Sequence, residues 1–168
     1  PAFPGHAGRG REQLVRDTED VPALGIGGPW RDASGLLYNA YWVMKGGKVV
    51  ARVLKHHLPN DTVFDEERLF ESAPVSGPYV VAGVRIGTPI CEDAWLDDVT
   101  ETLAETGAEI LLVPNGSPYY RNKYDRRGNP MVSRVIETRL PLIYPHIGGG
   151  QDGQFYDGAT FVVNHQPV

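Results

Sequence analysis

The chain is 168 residues long, with 41% hydrophobic residues and a net charge of −5. That length can bury a real core, and the acidic balance argues against nucleic-acid binding, because neutralising phosphates needs a basic surface. A single cysteine rules out an internal disulfide framework and no apolar run is long enough to cross a bilayer, so a soluble, cytoplasmic protein with no membrane partner is expected.

In chain order, residues from about Gly10 to Asp17 are expected to be the end of a helix and Pro22–Gly27 a short buried strand. Leu36–Met44 and Lys48–Leu54 read as strands joined by Lys45-Gly46-Gly47, a hairpin turn in which glycine supplies positive φ at no steric cost. This hairpin delivers Lys55 to a strand end, at the head of the polar loop 55–70. Tyr79–Ile90, rich in Val, Ile and Gly, predicts a second hairpin whose buried return strand, Val84–Ile90, leads into Cys91. Asp97 or Asp98 is expected to cap a helix running to about Thr106, with Gly107 as its stop. Ile110–Val113 is a buried strand closed by Pro114. The next helix is expected to begin near Asn129, with Pro130 in its first turn, where a missing N–H costs nothing. Its buried stripe would be Val132, Val135, Ile136 and Leu140. Leu142–Ile147 and Ala159–Val163 are the last strands.

Cys91 stands where an apolar strand ends and a polar, helix-starting run begins, in Pro89-Ile90-Cys91-Glu92-Asp93-Ala94-Trp95. Such a connection presents a side chain, although a thiol needs a nearby cation, helix N-terminus or base to become an effective nucleophile. The competing reading is a buried structural thiol. The arginines and lysine of 119–140 (Arg121, Lys123, Arg126, Arg127, Arg134, Arg139) read as a solvated helix face rather than a phosphate site. A metal site is not expected: His56 and His57 are adjacent and would point to opposite sides of an extended chain, and no Cys-x-x-Cys or His-x-x-x-His occurs. Gly148-Gly149-Gly150 reads as a tight turn, since the Gly-Lys-Ser/Thr ending of a phosphate loop is missing.

Four segments in order carry a wider likeness: Lys55 with Leu58-Pro59-Asn60 and Val63-Phe64-Asp65-Glu66; Cys91-Glu92-Asp93-Ala94-Trp95; Pro114-Asn115-Gly116-Ser117-Pro118; and Gly149-Gly150-Gln151-Asp152 leading to Phe155-Tyr156-Asp157-Gly158. Together they resemble the glutaminase domain of glutamine-dependent NAD synthetases, within the nitrilase (carbon-nitrogen hydrolase) superfamily. The resemblance covers essentially the whole chain and implies an α/β fold, the nitrilase-type α-β-β-α sandwich, here as a partial domain. It implies Cys91 as nucleophile and Lys55 as the lysine of a Glu-Lys-Cys triad. Glu66 would be the further glutamate that orients the lysine, the Glu92 backbone N–H an oxyanion donor, and Ser117 and Asp61 would border the glutamine pocket. The triad's general-base glutamate belongs to a stretch that nothing here matches, so the chain is expected to be N-terminally incomplete and to hydrolyse glutamine poorly by itself.

The resemblance further implies no cofactor or metal in this chain, with ATP and Mg confined to a synthetase domain that it lacks. Expected partners are glutamine, the synthetase domain of the same protein and further copies in a homo-oligomer. Departures fall at Asp61, where tyrosine is usual, and at His146 and Gly153, which replace an asparagine and an acidic residue. The alternatives are a stand-alone amidase acting on another small amide, and a catalytically silent scaffold.

Overall fold

The computed structural model describes residues 3–60, 65–119, 123–151 and 153–165, with the side chains of 3–9 and 123–126 left out. Asp61 lies outside the described residues. The chain divides into two compact units, Pro1–Ser76 and Gly77–Val168.

In the first unit, helix α1 (Phe3–Asp17) precedes an antiparallel sheet of β1 (Leu24–Arg31), β2 (Leu37–Lys45) and β3 (Lys48–Leu54), with β2 central. Gly46 and Gly47 adopt φ of 57° and 68°, the two successive left-handed positions that a two-residue hairpin requires. A register shift at Val43/Met44 marks a bulge before the turn. Ala40, Trp42 and Met44 alternate along β2, and their buried face packs on Leu14 and Val15 of α1. The expected short buried strand at Pro22–Gly27 is a correction: β1 runs on to Arg31, and its first half is exposed because only one edge of it is paired.

In the second unit the five-stranded sheet has the order β10-β7-β6-β5-β4. Here β4 (Tyr79–Val81) and β5 (Val84–Gly87) form the predicted hairpin, β6 is Ile110–Leu112, β7 is Leu142–Tyr144 and β10 is Phe161–Val163. Strands β5, β6 and β7 are mutually parallel. Gly87 sits where an added Cβ would come within 3.2 Å of Leu103 and Ala108, so β5 closes tightly on helix α2 (Asp97–Glu105). The strand stops at Gly87, three residues short of the expected Ile90, although Pro89 and Ile90 stay buried. Neither Asp97 nor Asp98 is the cap of α2. Leu96 occupies that position, and the two carboxylates lie in the first turn, where they complement the helix dipole.

Helix α3 (Lys123–Thr138) departs most from expectation, because it passes straight through Pro130. Its buried face is Arg127, Met131 and Val135, spaced by four residues, and these contacts on both sides of the proline outweigh one lost backbone bond. Val132 and Ile136, expected in the core, are 43% and 67% exposed. Strand β7 ends at Tyr144, well before Ile147, because Pro145 cannot donate to a ladder. Gly148–Gly150 is no tight turn: it belongs to β8 (Gly148–Gln151), which pairs with β9 (Gln154–Asp157).

Candidate active site

Lys55 follows the last residue of β3. Its backbone N–H donates to the Asn39 carbonyl at 2.9 Å, and its carbonyl accepts from Ala73 at 3.2 Å, so the main chain is pinned on both sides. The side chain is 1% exposed and its Nζ lies 2.8 Å from both carboxylate oxygens of Glu66. A buried ammonium needs such a partner, since desolvating an unpaired charge costs several kcal/mol. The Glu66 main chain is anchored in turn, donating to the Pro59 carbonyl and accepting from Leu69 and Phe70. Asn39 of β2 adds a long contact of 3.4 Å from Nδ2 to Glu66. Lys55 and Glu66 are the residues that the sequence resemblance singles out, whereas Asn39, which sits inside a strand, is not among them. His56 and His57 do not diverge as expected: their rings meet edge to face with centroids 4.5 Å apart.

In the second unit Cys91 opens a short 3-10 helix, Cys91–Ala94, and is half-buried. Its φ is 50°, a left-handed conformation that costs a non-glycine residue free energy and that surrounding structure must impose. Two contacts impose it. The Cys91 N–H donates to the Pro114 carbonyl at 3.1 Å, tying the turn to the end of β6, and the buried Asp93 carboxylate accepts the Ile90 N–H at 3.0 Å. Glu92 is half-buried, and Ser117 is buried on the loop after β6.

Around Ser117 lies a polar cluster that sequence reasoning did not assemble. Arg127, taken there for part of a solvated face, is 1% exposed and places Nη1 at 2.8 and 3.0 Å from the two Asp157 oxygens. Its Nη2 donates to the Ser117 carbonyl at 3.2 Å. His146 faces the same carbonyl through Nε2 at 3.0 Å and the Ile147 carbonyl through Nδ1 at 2.8 Å. Burial lowers the His146 pKa, and the Arg127 charge adds to this against the opposing pull of the carbonyls and Asp157. For Asp157, burial acts upward, but the Arg127 hydrogen bond and charge bring its carboxyl below the ordinary range. The Tyr144 phenol is pushed strongly up, by burial first and then by the charge of Cys91, which puts Cys91 within electrostatic reach. The Ser117 hydroxyl is close enough to act slightly in the other direction, yet the two hydroxyls fall outside hydrogen-bond geometry.

The sequence pattern of the carbon-nitrogen hydrolase family matches residues 13–165. The chain belongs to the carbon-nitrogen hydrolase family. Among the relatives of this carbon-nitrogen hydrolase, the glutamine-dependent NAD(+) synthetase of Rhodobacter capsulatus is 55% identical over 164 residues, covering 98% of the chain and 30% of the relative. The solved structure of glutamine-dependent NAD+ synthetase from Acinetobacter baumannii superposes with a TM-score of 0.90 at 30% identity, covering 98% of this chain and 31% of that one. A carbon-nitrogen hydrolase from Helicobacter pylori G27 shares the fold, with a TM-score of 0.81 at 22% identity over 98% of this chain and 61% of its own. The chain therefore has the α/β fold expected of it, and spans about 30% of the length of the curated relatives it matches. Among the described residues no helix is long and apolar enough to cross a membrane.

Proposed function

We propose that this chain is the glutaminase part of a glutamine-dependent NAD synthetase, hydrolysing the side-chain amide of glutamine and supplying ammonia for amidation of deamido-NAD. The observation that carries this is Cys91, held at φ 50° at a strand-to-helix junction in a chain 55% identical to a protein of that name. In this reading the Cys91 thiolate attacks the amide carbon of glutamine and a C–S bond forms. Lys55 and the Glu92 N–H hold the resulting oxyanion, a role in which losing one donor typically costs about 2.7–4 kcal/mol of barrier. The C–N bond then breaks as the leaving nitrogen takes up the proton that the Cys91 thiol gave up, so ammonia leaves and a thioester remains. Water attacks the thioester, releasing glutamate and restoring the thiol.

Glu66 positions the Lys55 ammonium, which supports that role through its two 2.8 Å contacts. Ser117 and Asp61 border the glutamine, and no metal or cofactor enters this half of the reaction. The carboxylate that moves protons in both half-reactions is not among the residues that carry the resemblance. ATP and Mg serve the synthetase domain, where the amide of NAD is made. Replacing Cys91 by alanine in the full-length protein tests the assignment. Glutamine-dependent NAD synthesis should be abolished while ammonia-dependent synthesis persists; loss of both would mean that the cysteine is structural.

A further inference from the structure

The face of the sheet at the carboxyl ends of β6 and β7 changes character along its length. Alternate residues of an extended chain share a face, so Leu111, Val113, Asn115 and Ser117 form one row, with Leu142, Tyr144 and His146 beside it. The register is set by the pairing of Leu111 with Leu142 and of Asn115 with His146. Every one of these side chains is buried, and the face turns from aliphatic to polar toward the strand ends. In open α/β sheets the carboxyl ends of parallel strands are where ligands bind.

Within that polar end the partners are unevenly shared. His146 faces the Ile147 and Ser117 carbonyls with its two ring nitrogens, of which a neutral ring can donate from one, and the two terminal nitrogens of Arg127 are committed to Asp157 and the Ser117 carbonyl. Among the described residues both ends of the Asn115 amide are left over: the residue is 6% exposed, and neither its Nδ2 nor its Oδ1 has a hydrogen-bond partner, while the Ser117 and Tyr144 hydroxyls and the Arg127 Nε beside it are unmatched as well. Its main chain is held in place, because its N–H donates to Pro145 at 3.0 Å and its carbonyl accepts from Ile147 at 3.2 Å. An unsatisfied buried polar group costs about 1–3 kcal/mol, so an orphaned amide fixed by its backbone is anomalous unless something else meets it. The residue before it, Pro114, accepts the Cys91 N–H at 3.1 Å. Asn115 thus sits at the same end of the strands as the cysteine.

We propose that Asn115 is a substrate-contacting, specificity-determining residue of the Cys91 site, its Nδ2 donating to the carbonyl and its Oδ1 accepting from the NH2 of a primary carboxamide. A side-chain amide offers one donor side and one acceptor side, and a primary carboxamide presents the complement of both. An ester of the same acid keeps the carbonyl and lacks the donor. The proposal rests on the amide-hydrolase reading above and names the group by which that site tells an amide from an ester.

The test compares full-length wild-type protein with Asn115→Leu, which keeps side-chain volume, on glutamine and on the γ-methyl ester of glutamate. The variant should lose about tenfold in kcat/KM on glutamine, mostly through KM, and clearly less on the ester. Should Asn115→Leu fail to fold, the smaller Asn115→Ser carries the same ratio. Equal losses on both compounds, or no loss on glutamine, would overturn the role of Asn115 while leaving the glutaminase reading standing. A wild-type protein that hydrolyses neither compound would instead remove the reading on which the proposal rests.

Discussion

The corner of the first unit built on Lys55 and the corner of the second built on Asn115 treat buried polar groups in opposite ways. Lys55 is 1% exposed and its charge is met by Glu66, with its backbone tied on both sides. Asn115 is nearly as buried and its backbone is as firmly held, but its amide has no answer within the described residues. A satisfied charge pair stabilises the fold as it forms, and two contacts to one carboxylate still leave an ammonium its third N–H. An unsatisfied amide makes folding slightly worse and leaves a donor and an acceptor for a ligand.

The largest effect should come from breaking the satisfied corner. Among the described residues Lys55→Met leaves the Glu66 carboxylate with the 3.4 Å contact to Asn39 alone, and a loss of about 3–5 kcal/mol in denaturant unfolding is expected. A loss below about 1 kcal/mol would show that water already carries the Glu66 charge, and the contrast between the corners would collapse. Arg127→Met comes next: it takes the cation from Asp157 and leaves the Ser117 carbonyl to His146, but Asp157 keeps 20% of its side-chain surface in water. About 2–3 kcal/mol is expected from the same measurement, together with weaker glutamine binding if the Ser117 loop is part of the pocket.

The smallest effect is a pH dependence that sharpens the second corner. The folded His146 pKa lies below its ordinary 6.5, so the unfolded ring takes up protons first as acid is added. Its contribution to stability is complete above 6.5 and is lost as pH falls through the folded value. Asp157, also lowered, contributes above its ordinary 3.8 and loses that contribution at lower pH still. Thermal melts across this range should show two successive declines, and His146→Asn should remove the first and keep the second. A His146→Asn profile parallel to wild type would mean that the ring is not buried as described.

Much of the fold was legible where local chemistry decides it. Lys45-Gly46-Gly47 announced its hairpin because only glycine takes successive left-handed positions cheaply, and the aliphatic run before Pro114 announced β6. Cys91 was legible as a junction residue, but its positive φ was not, because the nearby Asp93 contact acts together with one to Pro114, which lies far along the chain at the end of β6. Helix α3 was misplaced for a related reason: a local rule stops helices at Pro130, while burial of Arg127, Met131 and Val135 is a tertiary fact. Asn39 and Asn115 carried no sequence signal of their own. In Asn115-Gly116-Ser117 the eye goes to the serine, and only the pairing with His146 shows that the asparagine is buried on the same face.

The most direct measurement is mass spectrometry of the full-length protein after exposure to a diazoketone analogue of glutamine, with and without excess glutamine. If Cys91 is the nucleophile of a glutaminase, one equivalent should attach at Cys91 and glutamine should slow its attachment. The treated protein should still use ammonia. A Cys91 that stays unlabelled while the analogue competes with nothing would contradict the assignment.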